Sequence, residues 1–511
     1  MLRRILTFAA LAALSAAPAS AAWHEAKTRH FIIYADKKPA ALAAFATKLE
    51  KFDRAVRQVR LMTDPVVGDG NRLTIFVLPN DNAVRKLIGD KSGRLAGYYI
   101  GRASGPVAFV PGRTDGAGDD EALQADTVFF HEYAHHLMMQ ALDKPLPNWL
   151  VEGFAEFLST ARFPKDGSVV LGSPAMHRSW ALYNRDGGLS LESLLASDYK
   201  MKTGEQEESL YAFGWLLVHY LTFDPARQGQ LARYVDAIAR GTSPSAAAQA
   251  TFGDVKRLNR DVTSYLNRAT MKAWVISPEQ LGTSSPDVRP LSPGASAVMM
   301  LHAQSRSGVD EKNAETLAVQ IRAVARRDPG DPMVEAALAE AEIDAGHADA
   351  ADAAAARALA ADPRNTGAMV LKGRSLVARA SSAGANSDAL FDSARAIFIA
   401  ANKVDTEDPE PLMEYYNSFS EQGERPTPNA IAALHYASNL APQDLGLRLS
   451  SAWRYIVDGK LAQARQALIP IAYDPHGENL AELARRMLVK LDAGDAKGAL
   501  AAAASDSKKS Q

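Results

Sequence analysis

The chain has 511 residues, 47% hydrophobic and 23% charged, with 57 Lys and Arg against 59 Asp and Glu and no Cys. At about 100–200 residues per domain, this length holds two to four domains with cores of their own. The composition excludes a largely disordered or collagen-like chain, the near balance of charge excludes a general pull toward nucleic acid or anionic membrane, and the lack of Cys excludes disulfides, a thiol nucleophile and Cys-ligated metal.

Arg3 and Arg4, the apolar run Ile5 to Ala17, Pro18 and the small residues Ala19-Ser20-Ala21-Ala22 have the form of a signal peptide over 1–22. The run is shorter than the roughly 20 residues that span a bilayer. The mature chain is therefore expected to be exported, periplasmic or secreted, with no membrane span.

Residues 23–276 begin with alternating strand and helix patterns. His30 to Tyr34 reads as a strand and Ala41 to Arg60 as a helix with Leu42, Phe45, Leu49 and Phe52 on one side. Leu73 to Leu78 is a second strand between turn residues, and Tyr98 to Ile100 with Val107 to Val110 reads as a hairpin. Helices are expected at Asp119 to Asp143, Asn148 to Thr160, Ser190 to Ser197 and Glu207 to Phe223. Residues 277–295, rich in Pro, Gly and Ser, read as an interdomain linker.

Residues 296–500 carry a repeat. Pro329, Pro363, Pro409, Pro442 and Pro475 follow apolar helical runs at intervals near 34, one of them lengthened by the insertion around Ser381 to Ser387. That is the period of tetratricopeptide repeats, whose small-residue positions are matched by Gly346, Ala351, Ala358, Ala430, Ala437 and Ala464. The large aromatic positions are poorly kept, so the repeats are divergent. The tail, 501–511, is expected to be disordered.

The chemistry is concentrated in Phe130-His131-Glu132-Tyr133-Ala134-His135-His136. On a helix His131 and His135 lie one turn apart on one face, so both imidazoles reach one ion, and Glu132 beside them reaches a water rather than the ion. A catalytic zinc takes three protein ligands and keeps a fourth position open. The segment Asn148-Trp149-Leu150-Val151-Glu152-Gly153-Phe154-Ala155-Glu156 offers the third, because Glu152 and Glu156 share a helix face; by spacing alone either could ligate. Asn148 is the expected N-cap, and Gly153 is expected to let this helix approach the His-bearing one. His136 points away. His24, His30, His177, His302, His347, His435 and His476 stand at no ligand spacing and are read as non-functional.

H-E-x-x-H followed by W-L-x-E-G-x-A-E resembles the gluzincin zinc metallopeptidases, and among them the bacterial peptidase-MA-like proteins. The resemblance covers roughly residues 23–270, and its specific part is 131–156. It implies a zinc ion held by His131, His135 and Glu152, with Glu156 orienting the first His. It further implies Glu132 as general base and Tyr211 as the group that stabilises the oxyanion, with His219 a weaker candidate for that role. The G-x-M-E-N amine anchor of the aminopeptidase-N-like branch is absent, and Val107 to Val110 stands in its place. Read as an edge strand without an amine anchor, that segment suits an extended peptide added to the sheet and favours an endopeptidase.

The expected protein is thus α+β: a gluzincin-type domain of mixed sheet plus helices, followed by an all-α repeat domain. It would hydrolyse peptide or protein substrates with Zn2+, and its repeats would be free to hold a protein partner. The alternative is an envelope adaptor acting through its repeats, with a structural or weakly active zinc domain.

Overall fold

The computed structural model describes residues 23–90, 97–113, 125–141, 144–184, 186–197, 201–282, 285–382, 387–474 and 476–507. The signal-peptide expectation for 1–22 lies outside them. Among the described residues no helix is long and apolar enough to cross a membrane.

The N-terminal half is built on a six-stranded mixed sheet. Its strands are β1 (His24–Lys27), β2 (Phe31–Ala35), β3 (Leu73–Leu78), β4 (Tyr98–Ile100), β5 (Val107–Pro111) and a late strand, Asp287–Pro290, in the order β4-β5-β3-β2-β1 and then Asp287–Pro290. β2, β3 and β5 run parallel, with Ile33 opposite Ile75 and Ile75 opposite Ala108. These central strands are apolar almost throughout because both faces are covered. Phe31, Ile33, Ile75, Val77 and Ala108 face α1 (Pro39–Arg60), while Tyr34, Phe76, Leu78 and Phe109 face the opposite side with Val84 of α2 (Asp81–Ile88).

α3 (Ala125–Ala141) packs on the first of these faces, where Phe130 stacks on Phe52 at 4.2 Å between ring centroids and Phe129 and Tyr133 lie against Phe31. After it come α4 (Asn148–Ser159), the strand β6 (Val169–Leu171), α5 (Ser179–Tyr183), α6 (Leu191–Ala196), α7 (Gly204–Phe223) and, after further helices, β7 (Trp274–Ile276), which pairs antiparallel with β6. Thr203 caps α7 by accepting from the Gln206 N–H. Pro147, not Asn148, precedes the first turn of α4, and no side chain caps it.

Two expectations of organisation fail. The stretch 277–295, read as a linker, contains a short helix, Pro278–Leu281, and the sheet strand β8 (Asp287–Pro290), paired antiparallel with β1. It also starts the helix Pro293–Arg306, whose Met299 and Ala303 are buried against Phe76 and Phe109 of the sheet. The boundary drawn there therefore does not separate two cores. The tail also departs from expectation: the helix Ala496–Ser507 runs through the start of 501–511, as the strong helix formers Ala501 to Ala504 favour, and only 508–511 fall outside the described residues.

From Pro293 onward the chain is a succession of helical repeats, such as Pro332–Asp344 with Ala348–Ala361 and Leu445–Val457 with Leu461–Ala472. Gly346 and Gly459 turn these pairs at φ of 77° and 73°, a conformation that side-chain-bearing residues rarely adopt. Ala351, Ala358, Ala430, Ala437 and Ala464 are all buried, so the small residues that marked the repeat lie where paired helices meet.

Candidate metal centre

α3 and α4 bring the site together. His131 and His135 project from α3, and Glu152 comes from α4, itself buried to 2% exposure. The two Nε2 atoms stand 3.2 Å apart, and Glu152 Oε2 stands 3.3 Å from that of His131 and 3.4 Å from that of His135. Donor atoms about 2.0–2.1 Å from a tetrahedral zinc lie about 3.3 Å from one another, so the trio has the spacing such an ion requires. Oε2 of Glu152 is buried without a hydrogen-bond partner. A buried polar atom in that state is costly unless something fills the gap. Among the described residues these three are the group whose side chains could share one metal ion.

Electrostatics fit the same picture. Burial alone would raise the Glu152 carboxyl, but the His135 and His131 imidazoles hold it well below the ordinary carboxylate range. Burial would lower His131, yet Glu152 and Glu156 carry it up to about 9. Without a cation the trio balances its own charge; with one, the protons must leave.

Glu156 does not join the trio. Its Oε1 lies 3.5 Å from His131 Nδ1, the ring atom that faces away from the shared point. Glu156 also accepts from Arg178 Nη2 at 2.5 Å and pairs with His177 Nε2 at 3.0 Å, and Arg178 continues to Glu208 at 2.8 Å. Burial would raise the Glu156 carboxyl; Arg178 and His177 keep it far below its usual range. His177, which sequence spacing left without a role, and Arg178 thus form the support of this carboxylate. Their signal was invisible because both lie on a 3-10 turn, Met176–Arg178, more than twenty residues away.

α7 places Tyr211 beside the site by a close helix crossing. A Cβ on Gly153 would fall 2.5 Å from the Gly214 carbonyl oxygen, so α4 and α7 touch backbone to backbone. Gly153 therefore serves the approach to α7 rather than to α3. One turn before Gly214, the Tyr211 ring meets His131 edge-on at 5.6 Å, and the Arg178 guanidinium lies 4.8 Å from its centroid. Burial, then Glu152 and Glu207, push its phenol above the ordinary value, so it stays protonated. Glu132 stands apart from the ligand network, and its charge is felt at His131, Tyr99 and Tyr211.

Other candidates fall away. His219 is fully buried, with Nδ1 on the Tyr265 hydroxyl at 2.8 Å and Nε2 on the Gly172 carbonyl at 3.1 Å, so it belongs to the core. His136 pairs with the Tyr99 hydroxyl at 2.7 Å and with Gln140, away from the trio. The strand β5 is interior, flanked by β3 and β4, and the sheet edge near the site is β4. His476 stands at the metal site itself, its ring edge-on to His135 at 5.1 Å.

No protein-family model and no curated protein matches this chain. Among solved structures, a thermophilic tetratricopeptide-repeat protein of Thermus thermophilus is similar at 18% identity with a TM-score of 0.32, over 38% of this chain and 97% of that one.

Proposed function

We propose that the protein is an exported zinc peptidase whose centre is His131, His135 and Glu152. The observation that carries this reading is the orphaned Glu152 Oε2 facing two imidazole Nε2 atoms at tetrahedral spacing, with a carboxylate, Glu132, one residue along the same helix. A zinc ion bound there supplies Lewis acidity and lowers the pKa of water toward about 7.

The chain's own residues do the rest. Glu132 accepts the proton of the attacking water and delivers it to the leaving amine. Tyr211, kept protonated, donates to the carbonyl oxygen as negative charge develops on it. Glu156 Oε1, 3.5 Å from His131 Nδ1, favours by its charge a proton on that nitrogen, the tautomer that turns Nε2 toward the ligand point. His177 and Arg178 hold Glu156 in that pose. Edge strand β4, with Tyr99 near Glu132, offers backbone groups to an extended peptide. A structural site has no use for a base beside its ligands, and this favours an enzyme over an adaptor.

The test is hydrolysis of a denatured protein pool by wild type beside Glu132→Gln, with metal content measured on both. Gln is nearly isosteric and accepts no proton, so the variant keeps its metal and loses about 10²–10⁴-fold in rate. Equal rates would remove Glu132 from the mechanism, and no hydrolysis by either would favour the adaptor.

A further inference from the structure

We propose that His476, carried by the C-terminal helical array, is a positioning residue of the metal centre, holding Oε1 of Glu152 so that Oε2 stays among the ligands. This rests on the metal-centre reading above and extends it to a part of the chain 324 residues distant.

A carboxylate that ligates through one oxygen leaves its second as an acceptor, and when that acceptor is buried it must find a donor. Glu152 is 2% exposed, and its Oε1 faces His476 Nε2 at 3.4 Å. His476 also lies edge-on to His135, so it touches two of the three ligands. A fully buried donor there would be part of the N-terminal core. His476 is instead about half exposed, standing between the trio and solvent.

Its placement is not accidental to one flexible side chain. Asp474 Oδ1 accepts from the His476 backbone N–H at 2.7 Å, and Asp474 and Tyr473 line a cavity of about 30 Å³ with His135, Met138, Met139 and Val151. The array is tied to the N-terminal half at several points ahead of this one in the chain. Arg448 reaches the Met139 carbonyl at the end of α3 at 3.4 Å, the Ala103 N–H donates to Asp444 at 2.8 Å, and Asn71 donates to the Leu440 carbonyl at 2.7 Å. Several bonds of this kind fix the register in which the turn after Leu461–Ala472 meets α3 and α4. A consequence follows for regulation: whatever shifts the array on α3 withdraws the donor from Glu152 and loosens the metal.

The experiment uses the full chain, loaded with cobalt(II) as a visible probe and titrated against a competing chelator. Circular dichroism first checks that the variants fold, which the exposed position of residue 476 favours. His476→Ala should bind cobalt about 10–100-fold more weakly and change its visible spectrum, the range typical for losing an outer partner of a ligand. His476→Gln, which keeps an N–H donor of similar reach, should recover most of both. Equal affinity and an unchanged spectrum in His476→Ala would overturn the proposal, as would a Gln variant no better than Ala. Wild type that takes up no cobalt would overturn the metal centre itself, and this proposal with it.

Discussion

His30 and His131 show two uses of a buried imidazole. In His131 one ring nitrogen meets Glu156 and the other points at the shared ligand position. In His30 both nitrogens meet carboxylates, Glu50 and Asp64, each at 2.9 Å, so both must carry protons and the ring is a cation. Burial would lower His30, but the hydrogen bond to Glu50 and the charge of Asp53 raise it above 6.5. Asp53 in turn takes the Tyr133 hydroxyl at 2.8 Å, so this cluster also anchors the helix that bears the ligands. A raised folded-state pKa gives stability present in full below 6.5 and lost as pH climbs through the folded value. Glu50 and Asp64 are lowered, so their share is present above their ordinary values and lost on acidification. His30→Gln should therefore cost about 1–3 kcal/mol near pH 6, and the gap to wild type should be smaller at a pH well above the ordinary histidine value. Urea unfolding at both pH values checks it, and a gap that widens with pH would contradict the account. At this scale the sequence was legible where partners are local: His131 and His135 share one helix face, and the next helix offers Glu152 and Glu156 on one of its own, though spacing alone did not choose between those two. His177, Arg178 and His476 were not, because no spacing rule joins residues brought together by tertiary packing.

Among the elements, the crossing of α4 and α7 decides where Tyr211 stands. Gly153→Ala would gain about 1 kcal/mol in helix propensity. The new Cβ would meet the Gly214 backbone, which cannot give way as a side-chain tip can. Forcing two helices apart costs about 1–3 kcal/mol or more, so the clash wins. The variant should unfold at lower urea and lose activity through Tyr211 while its trio, whose ligands come from α3 and α4, still takes up metal. A Gly153→Ala protein as stable and active as wild type would show that the crossing has slack. Strands β2, β3, β4 and β5 were readable from their apolar runs. The strand Asp287–Pro290 was not: it is short, polar, mostly exposed and ends in Pro, the traits of a protected sheet edge and equally of a linker.

For the whole molecule, the shared cores matter most. The sheet face bearing Phe76 and Phe109 is closed by Met299 and Ala303, and Ala103 is buried among Tyr416, Phe419 and Leu434 of the repeats. A fragment of residues 23–276 loses the edge strand and this cover, and exposes a contiguous apolar face. It should aggregate or unfold more readily than the full chain; a soluble, stable fragment with wild-type metal would restore the two-domain division. The repeat period was legible because each pair of helices reuses the same small residues and turn. The docking of the array on the N-terminal half had no such internal signal.

The central claim is that His131, His135 and Glu152 hold one metal ion for chemistry aided by Glu132. Elemental analysis of purified full-length proteins, after exhaustive buffer exchange, tests it most directly. The account predicts about one zinc per chain in wild type and in Glu132→Gln, and about a tenth or less in His131→Ala, His135→Ala and Glu152→Ala. Wild-type zinc content in all three ligand variants would contradict it.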